Sequence, residues 1–232
     1  EMLHSILSEA VGSECVWATQ GNFNNDIGMP LTLLALKAQH RYAVLEMGMN
    51  HAGEIAYLTQ LAKPNAALVN NAGAAHLEFL GTVEGVAKAK GEIFLGLDPT
   101  GVAIWNQKDA YAGVWRALAQ PYRQLCFGDE NADVWASGLV LNPLTSFFIL
   151  HTPQGEAKIQ LKVAGQHNVM NALAAAAAAH AVQVPLAAIA AGLNHFAGVK
   201  GRLQVKQGLN GAVLVDDTYN ANPTSVKAAI EV

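Results

Sequence analysis

Six groups of residues stand where side chains of their type can do chemistry. Glu46 follows the apolar run Tyr42-Ala43-Val44-Leu45 and opens Glu46-Met47-Gly48-Met49-Asn50-His51. A carboxylate at the end of a buried strand adds little to packing. Ligands of open parallel sheets bind beyond the carboxyl ends of strands, so a functional Glu46 is favoured over a solvated strand end. His76 and Glu78 follow a second apolar run, Ala66-Ala67-Leu68-Val69, which ends in Asn70-Asn71. A single histidine is more often a hydrogen-bonded structural residue than a ligand, and on its own His76 is read that way. Lys90 lies among Val83, Val86, Ala87, Ile93, Phe94 and Leu97, which recur at helical spacing and define a buried stripe. Lys88, two positions away at about 100° per residue, falls on the opposite face. An ammonium on a core-facing stripe is costly unless paired or shifted toward its neutral form. Three readings of Lys90 stay open: a side chain that snorkels to solvent, an ion pair with Glu84 or Glu46, and a functional amine.

The remaining groups are rich in asparagine. Gly21-Asn22-Phe23-Asn24-Asn25-Asp26-Ile27-Gly28-Met29-Pro30 precedes a helical pattern whose first amides could hold an anion. Spacing alone favours a plain turn, which Asn and Gly suit. Gly165-Gln166-His167-Asn168-Val169-Met170-Asn171 opens an alanine-rich helix. Asn168 is placed to be its N-cap, a sufficient structural reason for that residue; Asn171, one turn later, is not explained by capping. Val215-Asp216-Asp217-Thr218-Tyr219-Asn220-Ala221-Asn222-Pro223 puts two aspartates at a strand end, where a turn would also use them.

The elements that must position these residues alternate in the manner of an α/β protein with a mostly parallel sheet flanked by helices. Strands are expected at Tyr42 to Leu45, Ala66 to Val69 and Gly101 to Trp105. Helices are expected from Pro30 to about His40, Gly53 to about Leu61 and Val83 to about Leu97. From about Ala136 to Val163 the texture changes to β-rich runs joined by Pro153-Gln154-Gly155, a hairpin signal. This predicts a small antiparallel β subdomain beside the parallel sheet. Helices resume at Asn168 to Val182 and Leu186 to Leu193. Gly198 to Gly201 reads as a linker, and Ala212 to Val215 begins a strand of a further domain.

Of 232 residues, 52% are hydrophobic, enough for a sizeable core, and 14% are charged, which argues against disorder. The net charge of −4 disfavours nucleic acid or an anionic membrane as partner. No apolar run is long enough to be inserted in a membrane, and no signal peptide is visible. Cys15 and Cys126 are far apart without metal-ligand spacing, which suits a reducing, cytoplasmic setting. Glu1 opens a helical pattern with no N-cap, and the pattern from Pro223 to Ile230 stops inside a helix. These ends carry the expectation of a piece cut from a longer chain.

Each motif alone is modest; their order carries more. Thr19 to Leu34, Glu46 to Ile55, Ala74 to Ile93, Gly165 to Ala177 and Asp216 to Pro223 together resemble the Mur ligase family, and within it the branch that adds D-alanyl-D-alanine. The likeness spans nearly the whole chain and is weakest from Asp109 to Leu161. It implies the P-loop NTPase-like central domain over residues 1–199, truncated at its start, and the start of a Rossmann-like C-terminal domain over 200–232. It implies ATP and Mg²⁺ as cofactors, UDP-N-acetylmuramoyl-tripeptide and D-alanyl-D-alanine as partners, and a monomer. ATP would phosphorylate the substrate carboxylate, and the incoming amine would displace phosphate.

For the site, the resemblance implies Mg²⁺ at Glu46 and His76 and a carbamylated Lys90, the three catalytic candidates. Asn168 and Asn171 would face adenine, and Arg202 and Asp217 the ribose and phosphates. Asn22, Asn24 and Asn25 would lie near the UDP-muramoyl substrate. Mg²⁺ prefers oxygen, so Glu46 is an expected ligand, and His76 rests on the resemblance. Two departures stand out. Phe79-Leu80-Gly81-Thr82 replaces the family's more usual Gly-Phe-Gly-Ser, which loosens that loop. The family's Gly-x-x-x-x-Gly-Lys-Ser/Thr is absent from these residues. In the family it lies just before the helix that opens at Glu1, and the chain alone is expected not to turn over ATP. The competing readings are another Mur ligase, a folylpolyglutamate synthase, or a non-catalytic nucleotide- or UDP-sugar-binding module.

Overall fold

A computed structural model describes residues 1–75, 77–202, 204–219 and 226. In chain order, helix α1 (Met2–Val11) leads to strand β1 (Val16–Ala18), α2 (Gly28–Leu34), β2 (Tyr42–Val44), α3 (Glu54–Ala62) and β3 (Ala66–Val69). Then follow α4 (Leu77–Leu80), α5 (Val83–Gly91), β4 (Val102–Asn106), α6 (Ala112–Leu118) and β5 (Arg123–Gly128). Strands β6 (Val134–Leu141), β7 (Ser146–Thr152) and β8 (Gly155–Leu161) precede α7 (Gln166–Ala181) and α8 (Leu186–His195). Strands β9 (Gln204–Gln207) and β10 (Val213–Asp216) come last.

The main sheet has six strands in the order β3-β4-β5-β6-β7-β8. It is parallel from β3 to β6 and antiparallel from β6 to β8. Alternation along β4 shows why both faces are covered. Val102 and Ile104 join the core under α1, α7 and α8, whereas Ala103 and Trp105 join Phe94 and Trp115 on the side of α5 and α6. Helix α7 is apolar almost all round, with Val169 and every residue from Ala172 to Ala179 buried; small side chains let it pack closely on several neighbours. Helix α8 crosses α1 just as closely. Gly192 has no side chain there, and a Cβ would fall 2.3 Å from Ile6 Cα. Ser5 Oγ donates to the Gly192 carbonyl at 2.7 Å.

Several expectations need correction. The β-rich run does not stand apart, because β6 pairs with β5 and its hairpins extend the same sheet. Tyr42–Val44 is a strand but not a buried one: it pairs with β1 in a two-stranded parallel ladder, and Ala43 is exposed. The helix expected to reach His40 ends at Leu34. His40 instead accepts the Lys37 N–H through Nδ1 and stacks on Trp17, which folds the chain back. Helix α5 ends at Gly91 and tightens into a 3₁₀ turn, Glu92–Gly96. There the Glu92 carboxylate accepts the N–H groups of Gly53 and Ala56 at the start of α3. Strands β1, β5 and β9 and helices α4 and α6 were not expected. Of the helix expected from Pro223, only Val226 is described. No described helix is long and apolar enough to cross a membrane.

Candidate functional site

Glu46 lies just past the carboxyl end of β2, where the ends of β1 and β2 are stitched together. The Thr19 N–H donates to the Val44 carbonyl at 3.0 Å, and the Glu46 N–H donates to Thr19 Oγ1 at 2.9 Å. The asparagine loop folds over this point. Asn24 Nδ2 donates to Glu46 Oε1 at 2.8 Å, and the Gly48 N–H donates to the Asn24 carbonyl at 2.7 Å. A Cβ on Gly48 would press on the Asn24 amide at 3.0 Å, so this approach suits glycine. Asn25 Oδ1 accepts the N–H groups of Ile27 and Gly28, which closes the turn that leads into α2. Asn22 is exposed, and its carbonyl accepts the Asn24 N–H. The turn reading therefore covers Asn25, while Asn24 reaches the candidate carboxylate.

A second group forms where β3 ends. Lys90 Nζ donates to the Asn71 carbonyl at 2.8 Å, and Asn70 Nδ2 donates to Asn171 Oδ1 at 3.0 Å. Burial holds the Lys90 amine below the usual lysine range, and the Asp109 charge partly opposes this. Asp109 itself accepts the N–H groups of Ala72 and Tyr111, fixing the chain just after Asn71. Glu84 pairs with Lys88 at 2.8 Å, on the face opposite Lys90. Among the described residues Lys90 makes no ion pair, so the pairing readings with Glu84 and Glu46 both fall. The two groups meet through a small apolar cluster, Met49, Ile55, Val86 and Ala89, against which Met47 and Ala72 pack. His76 lies outside the described residues, as do Asn220, Ala221, Asn222 and Pro223 of the aspartate motif.

The third group surrounds the start of α7. Asn168 is not its N-cap. Gly165, at φ 95°, takes that position, and Asn168 Nδ2 reaches back to the Ala164 carbonyl at 2.7 Å. Burial lowers the His167 pKa and the Asp217 charge raises it, which places half-buried Asp217 beside the opening of the helix. The Arg202 guanidinium sits 4.5 Å above the Tyr219 ring, a cation–π contact. The Tyr219 N–H donates to the Gly201 carbonyl, so this turn is also held at its base.

These groups suit a reaction between anions. Among the described residues Asn24 bonds the Glu46 carboxylate at Oε1 and no bond is made at Oε2, which leaves that oxygen able to accept a cation. An unmodified Lys90 ammonium cannot ligate a metal, so Mg²⁺ fits beside it only if the amine is converted to an anion. Asn70, Asn71 and Asp109 were not singled out as functional by their residue types. The available signal was a pair of asparagines at a strand's carboxyl end. On the other face of α7, Lys108, Trp135, Ser137, Gln166 and Met170 line an open cavity of about 410 Å³. Ser137, His151 and Glu156 bond in a row beside it, with Trp135 stacked on His151. Register explains this row as a cross-strand polar ladder of β6, β7 and β8.

Comparison with known proteins adds to this geometry. Residues 1–179 match the Mur ligase middle domain. The UDP-N-acetylmuramoyl-tripeptide–D-alanyl-D-alanine ligase of Haemophilus influenzae is 48% identical over 233 residues, covering 100% of this chain and 50% of the relative. The Escherichia coli enzyme of the same name is 44% identical, covering 97% of this chain and 51% of its own length. A crystal structure of MurF from Acinetobacter baumannii superposes with a TM-score of 0.94 at 44% identity, over 99% of this chain and 50% of that one. A Thermotoga maritima MurF solved with ADP gives a TM-score of 0.83 at 26% identity, over 99% and 53% of the two chains. The chain thus spans about half the length of these relatives.

Proposed function

The chain belongs to the Mur ligase family, in its MurF branch, and from that premise we propose that it supplies the central part of an ATP-dependent ligase. The reaction joins D-alanyl-D-alanine to UDP-N-acetylmuramoyl-tripeptide in peptidoglycan synthesis. Residues 1–199 act as the central domain and 200–232 as the start of the C-terminal one. A carboxylate does not acylate an amine without a good leaving group. Transfer of the γ-phosphoryl group to the tripeptide carboxylate supplies one, and the dipeptide amine then displaces phosphate. When bound, Mg²⁺ neutralises charge that develops on the transferred phosphoryl group.

Each group of residues has a part in this reading. Glu46 and His76 hold Mg²⁺, with Asn24 orienting the Glu46 carboxylate. Lys90 reacts as the neutral amine with carbon dioxide, forming an N–C bond and releasing a proton. The resulting carbamate offers oxygen to the metal where an ammonium would repel it. Its remaining N–H still has the Asn71 carbonyl to donate to, which would turn the new carboxylate away from the backbone. Asn168 and Asn171 face the base, and Arg202 and Asp217 the ribose and phosphates. Asn22 and Asn25 shape the wall for the UDP-muramoyl substrate.

The observation that carries the reading is the end of β3, where one dipeptide touches both the lysine of the metal group and the asparagine of the nucleotide group. The test is phosphate release by the complete enzyme with UDP-N-acetylmuramoyl-tripeptide, D-alanyl-D-alanine, ATP and Mg²⁺. Release should need all four. Release that ignores the dipeptide, or none at all, would overturn the assignment.

A further inference from the structure

We propose that Asn70 is a positioning residue of the nucleotide subsite, holding the side-chain amide of Asn171 in the orientation that meets the ligand. The inference rests on the reading that Asn171 faces the nucleotide. Asn70 directly follows β3, whose four residues are all registered against β4 and whose Ala67 and Val69 are buried. Its backbone is therefore set by the main sheet. Asn171 is on α7, 101 residues later, and its helix neighbours Ala172 and Leu173 are fully packed.

Asparagine is a modest helix former, and inside a helix it has no capping role to repay that cost. Left alone, its amide would sample several rotamers. The 3.0 Å hydrogen bond from Asn70 Nδ2 to Asn171 Oδ1 selects one of them. A side-chain amide has two N–H donors and an oxygen with two lone pairs. One bond to the oxygen leaves both N–H groups available, now aimed by a group that the sheet fixes. Both asparagines are only partly buried, so the pair is reachable by a ligand. Ordering this amide before the ligand arrives removes a cost from binding. A bond that served only to tie β3 to α7 would contribute to stability and to nothing else.

The two roles separate in steady-state kinetics of the complete enzyme. Asn70→Ala is expected to raise the ATP KM about three- to tenfold, the worth of one ordinary hydrogen bond. The kcat at saturating ATP, the KM for UDP-N-acetylmuramoyl-tripeptide and the Mg²⁺ requirement should each stay within about twofold by the same measure. Asn70→Asp keeps the shape but cannot donate, so Asn171 must turn its amide over; the ATP KM should rise further than with alanine. This near-isosteric variant also carries the test if the alanine variant fails to fold. Asn171→Ala is the control. If Asn171→Ala raises the ATP KM and neither Asn70 variant does, the positioning role is wrong and the nucleotide reading stands. If Asn171→Ala leaves the ATP KM unchanged, the nucleotide reading itself fails. A lower Tm with the ATP KM unmoved, or with both substrate KM values raised alike, would show a structural tie and overturn the proposal.

Discussion

At Lys90 the local facts point one way. The amine sits on a helix face shared with buried Val86 and Ala87, burial depresses its pKa, and its bonding partner is a neutral carbonyl. Among the described residues no carboxylate is within ion-pair distance of it, and Asp109 acts only through its more distant charge, in contrast to exposed Lys88 with Glu84. In the complete enzyme Lys90→Ala should lower kcat by at least about a hundredfold, the scale of losing an electrostatic group at a reaction centre. Acetate or propionate should restore part of it by filling the space with an anion. Full activity of the variant without added acid would remove the carbamate from the mechanism. Cys126 shows the opposite use of burial. Its thiol is pushed up to about 11, chiefly by desolvation, beside the Asp133 carboxylate. The fold thus favours the neutral thiol. That contribution to stability is complete below the unfolded pKa of about 8.5 and is lost as pH rises toward the folded value. At pH 8 a thiol reagent such as dithionitrobenzoate should modify Cys126 much more slowly in the folded protein than in urea, because the thiolate is the nucleophile. Equal rates in the two states would show that the thiol is not shielded.

Strands β3 and β4 were legible because they are short apolar runs bounded by Pro64 and Gly101; β4 is buried on two faces and β3 at Ala67 and Val69. The lysine face of α5 was legible because a helix fixes direction from spacing alone. Strand β1 was not, since Val16-Trp17-Ala18 is too short to show a period and is held by one neighbour. Strand β5 hides its Leu125 and Phe127 alternation among Arg123, Gln124 and Cys126. Asn168 was misplaced for a local reason: Gly165 adopts φ 95° and lets α7 start earlier than the better capping residue suggests. The contact of Asn70 with Asn171 has no local signal, because it depends on how α7 lies over the sheet. Helix crossings were equally hidden. Gly192 reads as a weak point inside a helix, yet it is what allows α8 to reach α1. Gly192→Ala should therefore destabilise despite alanine's better helix propensity. Overpacking of this kind costs about 1–3 kcal/mol, against a propensity gain of roughly 1 kcal/mol. Urea unfolding would measure it, and an unchanged or raised midpoint would mean that the helices part without cost.

On the scale of the molecule, α7 links the core to the candidate site. Its middle is buried, and its first turns bring Asn171 to Asn70 at the carboxyl end of β3 and His167 within reach of the Asp217 charge. The fold can therefore be damaged away from the site, and the site away from the core. Ligand linkage distinguishes the two cases, because a molecule that binds only the native state stabilises it by an amount set by its affinity. In the complete enzyme, ADP with Mg²⁺ should raise the unfolding temperature. Asn171→Ala and Asp217→Ala should shrink that rise. Gly192→Ala should do the reverse, lowering the ligand-free temperature and keeping the rise, since Gly192 packs on Ile6 and shares no hydrogen-bond partner with Asn171. Differential scanning calorimetry with and without ADP would read all three variants. A ligand-induced rise that survives intact in both Asn171→Ala and Asp217→Ala would place the nucleotide elsewhere on the molecule. A rise abolished by Gly192→Ala would mean that the α1–α8 crossing and the opening of α7 are one mechanical unit.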